Sequence, residues 1–358
     1  MFGMVWRRAA GIALAAVTTG LLGSAGAQAA PDRAAAVPWK SVGAGWVLAE
    51  QSAGRHGPVT LYLASPSGAK YPLRGAPGGL VAWSASKTEA LFELTAPNEL
   101  EQLNLQNGHG TRLELPPGSY ALGYAQPDGR QVLAVRQAGW TDTLATYSLS
   151  GRLTATLDSS RYGINGIGTA GGRTFAVSAP TGVRLVSNAG RLLKSLPVPA
   201  SLGCTPVRWW TAGTVLASCI TRSGSSEYLH LFLVPTSGAR PAELTPFRRS
   251  SYDLGDLDAW RLPSGLYLQS AGACGTLEVN RQAASGSVTP VPVPGTSSPS
   301  YLVVTAAGSR LLIETQGCTG RGQLLWLNPA TRAETWLFTR GTLGAVPFAN
   351  PQDPLGQI

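Results

Sequence analysis

A short phrase recurs along this chain: an alternating, largely apolar strand closed by a small, polar, Gly-containing turn. Its clearest copies are Leu61-Tyr62-Leu63-Ala64-Ser65-Pro66-Ser67-Gly68 and Leu231-Phe232-Leu233-Val234-Pro235-Thr236-Ser237-Gly238. Seven copies are anchored at Leu61, Leu103, Leu144, Leu185, Leu231, Leu277 and Leu325. They are spaced by 42, 41, 41, 46, 46 and 48 residues. A near-constant period of this length, with a strand in each copy, marks a repeat architecture: one unit cannot bury its faces alone, so neighbours must stack.

Each period also holds two strand-like segments before the phrase and one after it, separated by Gly, Pro, Ser and Asn turns. Four short strands per period is the layout of a propeller blade. The predicted fold is therefore all-β: a seven-bladed β-propeller with four-stranded blades. Two β-sandwich domains are the structural rival, because short strands at this spacing fit both; the shared period favours the propeller. The first period lacks an inner strand. Residues 38–42 or the C-terminal residues 344–350 could supply it. The favoured reading is that the C-terminal segment joins the first blade and closes the ring, which removes open strand edges.

The N-terminus reads as a secretory signal peptide. Arg7 and Arg8 precede an apolar stretch of about a dozen residues, short for a membrane span. Ala27-Gln28-Ala29 is a small-x-small cleavage site, with Ala25-Gly26-Ala27 as a second choice. The expected organisation is a signal peptide over 1–29, a flexible segment over 30–40, one propeller domain over 41–350 and a tail over 351–358. The expected location is secreted or extracytoplasmic, with no transmembrane segment in the mature chain. The chain carries 28 basic and 19 acidic residues. Without Arg7 and Arg8 that leaves 26 against 19, a mildly basic balance. No Lys/Arg run of the kind that grips nucleic acid is present, so nucleic acid is not an expected partner. An attraction to an anionic envelope surface is compatible with the charge.

All four cysteines lie in the second half: Cys204, Cys219, Cys274 and Cys318. An even count in an exported chain points to disulfides, and four cysteines allow three pairings. Cys204 and Cys219 flank an apparent hairpin and fall nearly opposite each other. Cys274 and Cys318 follow similar strands about one repeat apart. The favoured pairings are 204–219 and 274–318. Zinc is disfavoured because there is no Cys-x-x-Cys pair.

The segment Tyr124-Ala125-Gln126-Pro127-Asp128-Gly129-Arg130-Gln131-Val132-Leu133 resembles the Trp-Ser-Pro-Asp-Gly motif of the TolB-type, or PD40, repeat. Val81-Ala82-Trp83-Ser84 followed by Glu89-Ala90-Leu91-Phe92 looks like the same unit without Pro-Asp-Gly. The chain is similar to exported actinobacterial TolB-like proteins, an impression carried by Leu324-Leu325-Trp326-Leu327-Asn328-Pro329, Cys274-Gly275 and Gly317-Cys318. The resemblance implies a WD40-like propeller. One repeat in seven keeps Pro-Asp-Gly, and no separate TolB-type N-terminal domain is evident.

Catalytic material is scarce. His56, His109 and His230 sit in or beside strand–turn phrases and read as structural, and a Gly-x-Ser-x-Gly elbow is absent. The acidic cluster Asp253, Asp256 and Asp258 reads as a polar loop between blades. Its three carboxylates could hold Ca²⁺ through oxygen ligands, although the EF-hand pattern is missing. No other cofactor is expected. Beside the cluster, Arg248, Arg249, Tyr252 and Asp253 share the longest irregular connection in the chain. Arg, Tyr and Asp together are common ingredients of a recognition surface. Trp209 and Trp210 open the fifth blade, and alternation sends them to opposite faces. Trp209 is included in the candidate ligand-binding set. The expected function is a monomeric, non-catalytic binding module whose partner is an envelope protein, a peptide or a glycan. The alternative is a propeller enzyme of the lactonase or glycan-cleaving type with a site at the channel mouth.

Overall fold

In each repeat the second strand is apolar on both sides. Val47-Leu48-Ala49, Ala90-Leu91-Phe92, Phe175-Ala176-Val177, Val215-Leu216-Ala217 and Leu311-Leu312-Ile313 are all fully buried. A strand needs both faces apolar only when both are covered. The outermost strands are instead mostly exposed, as in Lys70–Gly75 and Leu192–Pro197. Such a unit is a radial sheet, with its second strand deep between two neighbours and its last strand on the rim.

The structure is a computed structural model that describes residues 36–54, 57–126, 128–138, 141–160, 166–168, 173–223, 226–245, 255–272, 276–294, 300–315 and 322–348. Blade 2 comprises Gly79–Trp83, Glu89–Glu93, Glu99–Asn104 and Gly110–Glu114; blade 3 comprises Ser119–Tyr124, Gln131–Ala138, Thr141–Ser148 and Leu153–Ser160. Blade 4 is Gly166–Gly168, Thr174–Ala179, Gly182–Ser187 and Leu192–Pro197, and blade 5 is Ser201–Thr211, Thr214–Ser223, Ser226–Pro235 and Ala242–Glu243. Blade 6 is Gly255–Leu262, Gly265–Ala271, Leu277–Gln282 and Val288–Pro290. Blade 7 opens with Tyr301–Ala307, Arg310–Thr315 and Gly322–Leu327, and blade 1 supplies Val47–Ser52, Val59–Ala64 and Lys70–Gly75. Neighbouring strands within every blade are antiparallel.

The fourteen-residue strand Glu334–Pro347 serves two blades. Its first part pairs with Gly322–Leu327 as the rim of blade 7; residues 344–347 pair with Val47–Ser52 as the inner strand of blade 1. The C-terminal segment is thus the missing strand. Residues 38–42 are not: Trp39–Ser41 is a single 3-10 turn. No helix among the described residues is long and apolar enough to cross a membrane.

The core is divided into seven seams, each shared by two consecutive blades. Leu48, Leu63, Trp83 and Phe92 join blades 1 and 2, and Leu91, Leu100, Val132 and Tyr147 join 2 and 3. Leu133, Val135, Phe175 and Val177 join 3 and 4; Val183, Leu196, Trp209 and Val215 join 4 and 5. Leu216, Leu231, Ala259 and Leu268 join 5 and 6; Trp260, Tyr267, Leu311 and Leu325 join 6 and 7. Val47, Ala49, Trp326 and Phe338 return from 7 to 1. The ring is closed. The Gly of the repeated phrase has a steric reason to be Gly. At Gly190 (φ 81°) a Cβ would lie 2.2 Å from the carbonyl oxygen of Thr156 in the preceding blade, and L-residues rarely take this backbone conformation.

Pairing between first and second strands slips by one residue at a common place. The slip lies between Leu80 and Ala82, Ala121 and Gly123, Pro206 and Arg208, Asp256 and Asp258, and Val303 and Thr305. In blade 1 it lies between Thr342 and Gly344. The second-strand residue just past the slip is Leu91, Leu133, Leu216 or Leu312, but it is Gln269 in blade 6 and Glu50 in blade 1. Gln269 uses its amide fully. Its Nε2 donates to the Tyr301 carbonyl at 2.8 Å and its Oε1 accepts the Val303 N–H at 2.7 Å, both on the next blade. Glu50 accepts the equivalent N–H, that of Leu80. Its Oε1 finds no partner among the described residues. The residues opposite it on the adjoining strands, Leu61 and Gly344, are uncharged. Burial outweighs the Leu80 hydrogen bond and pushes the Glu50 carboxyl up to about 7.

Two outcomes follow for this fold. Truncation after Thr339 removes Ala345, Val346 and Phe348 from two seams. At about 1.5–3 kcal/mol per large buried side chain, it should destabilise the ring by roughly 3 kcal/mol or more. A urea midpoint unchanged by truncation would disprove the closure. For Glu50 the folded-state value lies above its ordinary 4.5, so the folded protein holds the extra proton between the two values. That contribution is complete below the unfolded value and is lost as pH rises through about 7. Glu50→Gln, which installs the Gln269 arrangement, should therefore stabilise the protein on the order of 1–3 kcal/mol at alkaline pH and hardly at all at acid pH. Equal urea midpoints for the two proteins across that range would refute it.

Candidate functional site

Blade 5 has the longest strands of the ring's interior. Its first three run eleven, ten and ten residues. The first begins at Ser201, six residues earlier than the apolar pattern from Val207 suggests, because Gly203 and Pro206 interrupt the signal. Cys204 and Cys219 are directly opposite each other in its first ladder and form a disulfide, with Cα atoms 4.0 Å apart. The predicted 204–219 bond is present; Cys274 and Cys318 lie outside the described residues.

The connection from blade 5 to blade 6 is held at both ends by one strand. On one side, the Leu244 N–H donates to the Leu231 carbonyl at 2.8 Å, and the Thr245 hydroxyl accepts the Leu231 N–H at 3.0 Å. On the other, Gly255 pairs in parallel with Leu229. Gly255 has φ 104°, and a Cβ there would sit 2.2 Å from the Leu229 carbonyl oxygen, so the chain can pass this close only as Gly. The anchor points are two residues apart. Between them lies 246–254, which carries Arg248, Arg249, Tyr252 and Asp253; these lie outside the described residues.

The acidic cluster is not all loop. Asp256 and Asp258 belong to the inner strand Gly255–Leu262 of blade 6. Asp256 is buried and accepts the Ser270 hydroxyl at 2.7 Å, and Ser270 in turn accepts from Asn280 at 3.0 Å. Its backbone carbonyl takes the Ser218 hydroxyl of blade 5 at 3.1 Å. Asp258 pairs with Arg208 at 2.7 Å. The Arg208 guanidinium also stacks 4.4 Å from the Trp260 ring centre. Burial pushes the Asp258 carboxyl up to about 6 against the pull of Arg208 and the Ala259 N–H. Arg208 is 3% exposed and Asp258 20%. Among the described residues no three His, Cys, Asp or Glu side chains converge so as to hold a metal ion.

Trp209 is buried in the seam between blades 4 and 5, at 3% exposure, while Trp210 packs in the seam between 5 and 6. Alternation does separate them, and Trp209 serves packing. His230 is buried with Nδ1 3.0 Å from the Glu243 carboxylate, and His109 is exposed in a turn. His56 lies outside the described residues. Arg208 was the residue to find. A lone cation inside the apolar run Val207-Arg208-Trp209-Trp210 calls for an anion, and the three carboxylates Asp253, Asp256 and Asp258 lie about one period on.

No family model and no curated protein matches this chain. Solved structures do. A prolyl endopeptidase is similar at TM-score 0.57 and 14% identity, over 87% of this chain and 50% of that one. A puromycin-hydrolysing peptidase of Mycobacterium tuberculosis is similar at TM-score 0.53 and 15% identity, over 81% and 53%. The β-propeller domain of the Trilobed protease from Pyrococcus furiosus is similar at TM-score 0.52 and 12% identity, over 81% and 92%. This chain is a β-propeller. It spans about half the length of the two whole peptidases. The propeller fold implied by the TolB-type resemblance holds. The Pyrococcus domain is described as having an open velcro topology, whereas residues 344–347 close the present propeller.

Arg208→Met should leave Asp258 partly buried without its cation. Removing one partner of such a pair costs roughly 3–5 kcal/mol. The loss should shrink at acid pH, where Asp258 protonates, and Arg208→Met/Asp258→Asn should recover most of it. Strictly additive urea-denaturation effects would show that the pair is not coupled.

Proposed function

We propose that this propeller is a non-catalytic recognition module that acts outside the cytosol and binds its partner through the 246–254 loop. The supporting observation is the double anchoring of that loop at Leu229 and Leu231, on the blade that also holds the Cys204–Cys219 disulfide. Binding residues are favoured on loops positioned by a rigid scaffold. The side chains proposed to make contact are Arg248, Arg249, Tyr252 and Asp253, with an envelope protein, peptide or glycan as the partner. The carboxylates that follow in sequence on the inner strand of blade 6, Asp256 and Asp258, are engaged by Ser270 and Arg208. A disulfide fits an oxidising compartment.

A second reading rests on Asp258 alone. Asp258 stands on an inner strand, 20% exposed and 2.7 Å from Arg208, and burial pushes its carboxyl up to about 6, toward the range in which a general acid or base works near neutral pH.

Pull-down from envelope extracts with the mature protein distinguishes the two. A partner retained by the native chain should be lost, at least roughly tenfold, with Arg248→Ala/Arg249→Ala/Tyr252→Ala, while the melting midpoint stays unchanged. Equal capture by both proteins would refute the loop as the binding site. Hydrolysis of a lactone or glycan panel that disappears in Asp258→Asn would establish the enzyme instead.

A further inference from the structure

The two ends of the ring differ in chemistry. Connections between blades, such as 76–78, 115–118 and 198–200, gather at one end. The turns from first to second and from third to fourth strands gather at the other. On blades 3 to 5 this second end is basic: Arg152, Arg191, Lys194 and Arg240 are all exposed there. The acidic turn residue described there, Asp128, is already paired with Arg130 at 3.3 Å. Leucines stand beside the cations. Leu153 follows Arg152 and is 50% exposed; Leu192 and Leu193 follow Arg191 and are 53% and 43% exposed.

Contacts link the three blades that carry these residues. The turn of blade 4 rests on the rim of blade 3, with Gly190 against Thr156. The Lys194 ammonium donates to the Ser237 carbonyl in the turn of blade 5. The strand Leu192–Pro197 is the last of its sheet, so no further strand covers its outer edge.

We infer that the turn end of blades 3 to 5 docks on the surface of an anionic phospholipid bilayer, with Arg152, Arg191 and Lys194 at the headgroups and Leu153, Leu192 and Leu193 at the acyl boundary. Charge complementarity selects an anionic partner. The leucines select a bilayer over a soluble polyanion, which cations alone would serve: interfacial binding combines buried apolar area with attraction to anionic lipid. Long cationic side chains can lay their stems along apolar surface while keeping their heads among phosphates. The docking end faces away from Thr245 and Gly255, the described ends of the connection between blades 5 and 6.

Flotation of the mature protein with phosphatidylcholine vesicles, with and without about one-third phosphatidylglycerol, tests the inference. Binding should require the anionic lipid and weaken with salt. Arg152→Glu/Arg191→Glu should reduce it by roughly tenfold or more, since each basic residue near such a surface contributes appreciably. Leu192→Ser/Leu193→Ser should reduce it several-fold, and Leu153→Ser provides an independent check should the pair shift the melting midpoint. Absence of binding to anionic vesicles at low salt would overturn the inference. So would binding that responds to the charge reversals but to none of the leucine variants, which would identify a polyanion site.

Discussion

No blade of this protein has an inside of its own. Its apolar side chains project from both faces of a thin sheet, and each face is covered only by the next blade. The hydrophobic term therefore resides in the seven seams, and a seam exists only while both partners are in place. Closure through Glu334–Pro347 extends this condition around the ring. It makes the seam between blades 7 and 1 equivalent to the other six, and Trp326 and Phe338 are as deeply buried there as core residues elsewhere.

Against this apolar background the polar groups in the seams are few and specific. Gln269 occupies a place held by Leu in four other blades and satisfies both ends of its amide on the next blade. Glu50 occupies the same place with an acid. Arg208 and Asp258 bridge two neighbouring inner strands. Each substitutes a directional bond for shape-filling contact, and a buried polar group left without its partner is costly. The ladders also divide the ring unequally. Blades 2 and 3 are separate four-stranded sheets, whereas blades 4 to 6 form one sheet of twelve strands through the Ala179–Cys204 and Leu229–Gly255 bridges.

Much of the fold was legible in the sequence because one constraint repeats. All seven anchor leucines, from Leu61 to Leu325, fall in the third strand of their blade. The Cys204–Cys219 pairing was legible because a hairpin fixes which residues face each other. What could not be read was set by partners far away in sequence. Asp258 looked like a loop carboxylate until Arg208 was placed beside it. Trp209 looked available until blade 4 covered it. The early start of the strand at Ser201 was hidden by Gly203 and Pro206. An inner strand has one edge without a neighbour, where Pro is tolerated.

The order in which the chain is made gives the closing strand a further meaning. Blade 1 is the first to be synthesised and the last to be completed, since its inner strand lies at residues 344–347. Until those residues emerge, Val47–Ser52 presents an unpaired edge, and the seam with blade 7 has only one wall. Blades 2 to 6 can assemble on one another meanwhile, each new repeat covering the last. The molecule is therefore vectorial in assembly: a chain that stops a few residues short has nearly all of its sequence and an unfinished beginning.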